Sequence, residues 1–118
     1  MNNASKNFLW SELTCKCGCG TKNISPAAIA KLQAMRDLVG PLTILSAARC
    51  LKHNKKVGGA SKSQHISTDT KQSTAFDVAF GSYTTSSLIA AATTVGFNGI
   101  GVYPTFIHVD DRATKARW

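Results

Sequence analysis

The chain predicts an α+β domain with a small antiparallel sheet flanked by helices. Three observations lead there. Ala75–Phe80 and Phe106–Asp110 alternate apolar and other residues with the period of a strand. Residues 26–39 and 84–95 instead space their apolar residues at helical intervals. Gly99–Tyr103 reads as a third strand, joined to Phe106–Asp110 by a tight turn at Pro104. With 118 residues, 43% apolar and 17% charged, the chain has the length and composition of one globular domain, residues 1–118.

Taken in order, residues 1–7 read as a loose tail. Phe8, Leu9, Trp10 and Leu13 read as a short helical turn whose aromatics cap the core. Ser25-Pro26 is a helix start, a serine N-cap followed by proline at the first helical position. Ala28, Leu32, Met35 and Val39 then form an apolar stripe that Ile29 and Leu38 widen, and Gly40-Pro41 stops the helix. Leu42–Ala47 is a short strand that delivers Arg49 at its end. Lys52-His53-Asn54-Lys55-Lys56 reads as a basic loop, with His53 a solvated bystander. A long polar loop leads to the strand Ala75–Phe80. Thr84–Val95 is the second helix, with Leu88, Ala92 and Val95 on one face and Gly96 as its stop.

Chemistry enters through the strands. Phe76, Val78 and Phe80 share one face of the first, which leaves Asp77 between Ala75 and Ala79 on the other. A carboxylate on so apolar a strand needs a partner, and a cation is the natural one. On the last strand Phe106, His108 and Asp110 share a face, opposite Ile107 and Val109. With His65 from the polar loop, Asp77 and His108 make a two-histidine, one-carboxylate set, which leaves the fourth position of a tetrahedral zinc open. Cys15, Cys17 and Cys19 stand at alternate positions and could also bind zinc, with Cys50 as a fourth thiolate. Their spacing is not the two-residue gap of a zinc knuckle, and free or bridged thiols remain open alternatives.

Ser46-Ala-Ala-Arg49-Cys50, Asn54, Val57-Gly-Gly-Ala-Ser-Lys-Ser-Gln-His65, Ala75-Phe-Asp77-Val78, Gly99-Ile-Gly-Val-Tyr103 and Phe106-Ile-His108-Val-Asp110-Asp-Arg112 occur in this order. The series resembles the zinc D-alanyl-D-alanine carboxypeptidase family, which includes phage endolysin peptidases and is related to the hedgehog signalling domain. The resemblance runs from about Phe8 to Arg112. It implies a hedgehog/D-Ala-D-Ala peptidase-like fold and zinc held by His65, Asp77 and His108. It also implies that Arg49 binds a substrate carboxylate. Ser63 and Gln64 flank the first ligand and either order the loop or touch substrate. Tyr103 is a candidate to stabilise the oxyanion. Relatives often have a cysteine-containing turn where Cys15–Cys19 lies, which favours a structural reading of it.

Two departures stand out. Eleven residues separate His65 from Asp77 where the family usually has six, with Ser73 where a Gly often falls. We expect a polar insertion around Ser67–Gln72 that bulges from the loop and reshapes the substrate cleft. Several relatives also carry an acid three residues before the last histidine, where this chain has Thr105. Asp110 is then the first candidate for the general base, with orientation of a metal-bound imidazole as its competing role.

The formal charge of +8 suits a polyanionic partner. Lys52, Lys55, Lys56, Lys62 and Lys71 are expected around the site. Met1–Trp10 is not patterned as a signal peptide and no stretch is long enough for a membrane span, so a cytoplasmic product that reaches the wall by another route, as phage lysis enzymes do, is expected. The implied activity is a monomeric zinc peptidase cutting peptidoglycan peptides, with no nucleic-acid partner. Its alternatives are a wall-binding domain that keeps the metal without catalysis and a basic nucleic-acid-binding protein.

Overall fold

A computed structural model describes residues 2–118. The elements in chain order are β1 (Asn3–Ser5), β2 (Phe8–Leu9), α1 (Trp10–Leu13), α2 (Pro26–Val39), β3 (Ile44–Ser46), α3 (Leu51–Lys56), β4 (Ala75–Ala79), α4 (Thr85–Val95), β5 (Gly99–Val102), β6 (Phe106–Asp110) and β7 (Ala116–Arg117). The main sheet has the order β3-β4-β6-β5-β7, antiparallel except where β7 joins β5 in parallel. The expected α+β class is the observed one.

Alternation decides which face of the sheet does what. Phe76, Val78, Ile100, Ile107 and Val109 are buried on one face against Ala28, Leu32 and Met35 of α2 and Leu88, Ala91 and Ala92 of α4. Phe97, just beyond α4, meets Phe76 edge to face at 6.2 Å. The opposite face carries Asp77, His108 and Asp110, so the strands that anchor the core also fix the polar groups. Strand β4 pairs with β6 so that Asp77 stands directly across from His108.

Helix α2 begins at its expected cap and both long helices end as their sequences predict, while α4 begins one residue later than read, with Thr84 as its N-cap. The Ser25 hydroxyl accepts from the Ala28 N–H, the Thr84 hydroxyl accepts from the Ser87 N–H, and Gly96 closes α4 in the left-handed conformation. Leu38 departs from expectation: it is 57% exposed, outside the buried stripe of α2.

Four segments differ from the sequence reading. Asn3–Ser5, read as loose tail, pairs with Phe8–Leu9, so the aromatic turn begins as a strand and only its second half is helical. Met1 lies outside the described residues. The basic loop at 52–56 is helix α3, capped by the Cys50 sulfur, which accepts from the His53 N–H. The insertion at 67–72, expected to reshape the cleft, does not line it. It folds into a turn in which Thr68 and Lys71 exchange backbone hydrogen bonds, and it is tied to Asn23 through the Ser67 hydroxyl and the Thr68 carbonyl. Ser73 then pairs with Ile24 and is fully buried. Finally, β7 was not foreseen, and it brings Trp118 back against β5, where Trp118 and Ile100 bond through the backbone.

Candidate metal centre

His65, Asp77 and His108 converge from three elements. Asp77 and His108 come from paired strands. His65 comes from the polar loop, which the backbone bonds Arg49 N–H to His65 carbonyl and Ser67 N–H to Arg49 carbonyl hold beside the end of β3. All three side chains are buried, and one ligand atom from each lies within 4.8 Å of the others.

Hydrogen bonds behind the imidazoles decide which nitrogen faces inward. His65 Nδ1 is 2.6 Å from the Ala47 carbonyl oxygen, which can only accept, so Nδ1 carries the proton and Nε2 is turned to Asp77 Oδ1 at 3.0 Å. His108 Nε2 is 2.7 Å from Asp110 Oδ2, so it donates there, and Nδ1 faces Asp77 Oδ1 at 3.2 Å. Two nitrogen lone pairs and a carboxylate oxygen thus point at one another. That cluster of acceptors is stable only around a cation or a shared proton, and the donor set suits zinc.

Where a proton rather than a cation is shared between these groups, the same contacts shift Asp77, His108 and Asp110. Burial alone would raise the Asp77 carboxyl, but hydrogen bonds from His108 and His65 outweigh it and bring it down to about 2. Burial would lower His108, yet Asp110 and Asp77 raise it on balance. For Asp110, burial is again outweighed, here by Arg112 and His108, and its carboxyl lies well below the usual range.

The centre forms part of the wall of an open cavity of about 510 Å³. Arg49, Ser63, Gln64 and Tyr103, expected there from the sequence, all line it. Arg49 holds the second Asp77 oxygen through Nη2 at 3.3 Å, while its Nε donates to the Ser46 hydroxyl and its Nη1 to Asn54 Oδ1. The Ser63 hydroxyl accepts from the His65 N–H, and Gln64 Oε1 accepts from the Thr74 hydroxyl, so both order the loop as well as face the cavity. Tyr103 stacks on Phe106 at 4.7 Å, and its oxygen accepts from Trp118 Nε1.

Asp110 does not line the cavity. Its carboxylate is fully buried behind His108, and it also accepts from Arg112 Nε, Nη2 and the Arg112 backbone N–H. These are the partners of a group that orients an imidazole. Of the basic residues expected around the site, only Lys62 lines the cavity, and Lys52 and Lys56 lie elsewhere, beside the cysteines.

Sequence reading missed two contributors. Arg112 pairs with Asp110 and lies 4.8 Å from the Trp118 ring, which in turn sits 5.1 Å from His108. The glycines of β5 are the signal that could have found this layer. A Cβ at Gly101 would run into the Trp118 ring, and one at Gly99 into the Asp110 carboxylate.

Acceptor atoms held facing one another at the edge of an open cavity are what a metal-dependent hydrolase offers its ion, and that is the class this fold and centre define. The family model described as Peptidase M15 matches residues 6–110, and the chain belongs to that family, whose members are zinc-dependent peptidases. No curated protein matches the chain. Among the described residues no helix is long and apolar enough to cross a membrane.

Proposed function

We propose that this chain is a zinc peptidase that hydrolyses peptide bonds of bacterial peptidoglycan, as a D-Ala-D-Ala carboxypeptidase or endopeptidase, and that it acts on the wall after release, as a phage lysis enzyme does. The observation that carries the reading is the tautomer lock. Ala47 and Asp110 commit the outer nitrogens of His65 and His108, which leaves their inner nitrogens and Asp77 to hold one ion. Bound there, zinc would supply Lewis-acid polarisation of the scissile carbonyl and activation of the attacking water.

The remaining roles belong to the chain's own groups. Arg49 and Lys62 put positive charge on the cavity wall, suited to a peptide with a free carboxylate, and the planar Arg49 guanidinium is the better two-oxygen clamp. Because Tyr103 accepts from Trp118, its own O–H remains to donate, which supports a role in stabilising a developing oxyanion. Asp110 orients His108 and balances its charge rather than contacting substrate.

One observation favours a second reading, a wall-binding domain that keeps the metal without catalysis. Among the described residues Asp77 is the only carboxylate lining the cavity, and Thr105 stands where several relatives have an acid. One experiment separates the two. Zinc content and release of wall peptides are measured on the wild type and on His108→Ala, with the freed termini identified by mass spectrometry. Zinc-dependent release that the variant loses supports the peptidase and names the bond. Zinc without release favours the binding domain. If the variant keeps both, the ligand assignment is wrong.

A further inference from the structure

The structure points to a second metal site, independent of the first. We infer that Cys15, Cys17, Cys19 and Cys50 hold a structural zinc ion in a tetrahedral thiolate site, with no position left open for water.

The sulfurs are grouped as a set of four rather than as two pairs. Cys15 Sγ lies 3.4 Å from Cys17 Sγ and 3.8 Å from Cys50 Sγ, and Cys17 Sγ lies 3.7 Å from Cys50 Sγ. That near-equilateral triangle has the dimensions of one face of a zinc–thiolate tetrahedron, whose edge is about 3.8 Å for metal–sulfur bonds of about 2.3 Å. Cys19 completes it, since all four sulfurs lie within 4.8 Å of one another. A disulfide framework would instead draw sulfurs together in pairs.

Local backbone explains how alternate cysteines meet. On a straight strand, residues two apart are about 6.6 Å from each other. Here the segment closes into a loop, with the Cys15 N–H donating to the Thr21 carbonyl and the Gly18 N–H to the Cys15 carbonyl. Gly18 and Gly20 take left-handed φ values of 86° and 81°, which residues with a Cβ rarely adopt. Cys50 arrives from the far side as the N-cap of α3.

The surroundings suit a thiolate cluster. Cys15 Sγ accepts from the Cys50 N–H and Cys50 Sγ accepts from the His53 N–H, both at 3.4 Å, and these bonds orient the sulfurs and spread their charge. Four thiols that bind one Zn²⁺ release four protons and leave a site of net charge −2. Lys52 and Lys56 line the cavity of about 440 Å³ beside the sulfurs and offset that charge. The ion would staple the 15–19 loop to the residue next to Arg49, and so hold one wall of the catalytic cavity from behind.

The test uses the full chain purified under reducing conditions, with metal content measured on the wild type, Cys17→Ser and His108→Ala. About two zinc ions per wild-type chain, and about one in each variant, are expected. Cobalt-substituted His108→Ala should keep a sulfur-to-cobalt charge-transfer band, and cobalt-substituted Cys17→Ser should lose it. Because only the thiolate site gives this band, failure of the His65–Asp77–His108 assignment would leave the result intact. Should Cys17→Ser not fold, the cobalt spectrum of His108→Ala decides alone. Four thiols reactive toward a chromogenic reagent in metal-containing native protein, disulfides in the reduced preparation by mass spectrometry, or no charge-transfer band would each overturn the inference.

Discussion

Asp110 is the residue whose chemistry the centre depends on without its reaching the cavity. It accepts from His108 on one side and from Arg112 on the other, and β5 leaves room for it by placing Gly99 where a Cβ would strike the carboxylate. Asp110→Asn keeps the shape but replaces one acceptor with an N–H₂ donor, which in either orientation faces a donor of His108 or Arg112 and so weakens the hold on the His108 tautomer. The variant should fold, with zinc affinity lower by about 10–100-fold by chelator competition. Affinity unchanged from wild type would remove the orienting role. If Asp110 were instead the general base, zinc would stay tight while turnover alone collapsed, so affinity and kcat measured together separate the two. This residue shows why a sequence reading stalls. Period two placed Asp110 on the face of His108, but only its burial and the Arg112 contacts favour the orienting role over that of a base.

At the scale of elements, what could be read was what local pattern determines. Strands β4 and β6 alternate strictly, so their apolar and polar faces, and with them Asp77 and His108, followed from the sequence. Helix α2 carried its own N-cap at Ser25, and α4 its own stop at Gly96. Helix α3 did not, because its N-cap is a cysteine sulfur and its six residues are mostly basic, with no apolar stripe. Two-residue β7 exists only because β5 offers it an edge, a tertiary fact with no local signature. The insertion was visible as extra length, yet its direction was not, since that depends on Asn23, far away in sequence. Its turn lies outside the catalytic cavity, and Asp69 on it is exposed and makes no ion pair among the described residues. Asp69→Ala should therefore change stability by less than about 0.5 kcal/mol and leave kcat/KM for wall peptides at the wild-type value. A clear rise in KM would mean that the turn does reach substrate.

For the whole molecule, the two faces of one sheet divide the work, with the core on one side and the centre on the other. The charge of +8 is spread over the outside of this arrangement. Among the described residues only Arg49, Lys62 and Arg112 of the lysines and arginines face the catalytic cavity, with Arg49 paired to Asp77 and Arg112 to Asp110. If the proposed wall substrate is correct, short-range recognition at the site and long-range attraction to an anionic wall are separable, because exposed charges are screened over about 10 Å at 0.1 M salt while close, partly buried pairs are screened much less. Raising salt from low to physiological strength should sharply slow release of peptides from intact walls that carry acidic polymers. Hydrolysis of a short soluble peptide with the same scissile bond should fall far less. Parallel salt curves for the two substrates would mean that the surface charge does not draw the protein to the wall and that the cavity cations alone set the dependence.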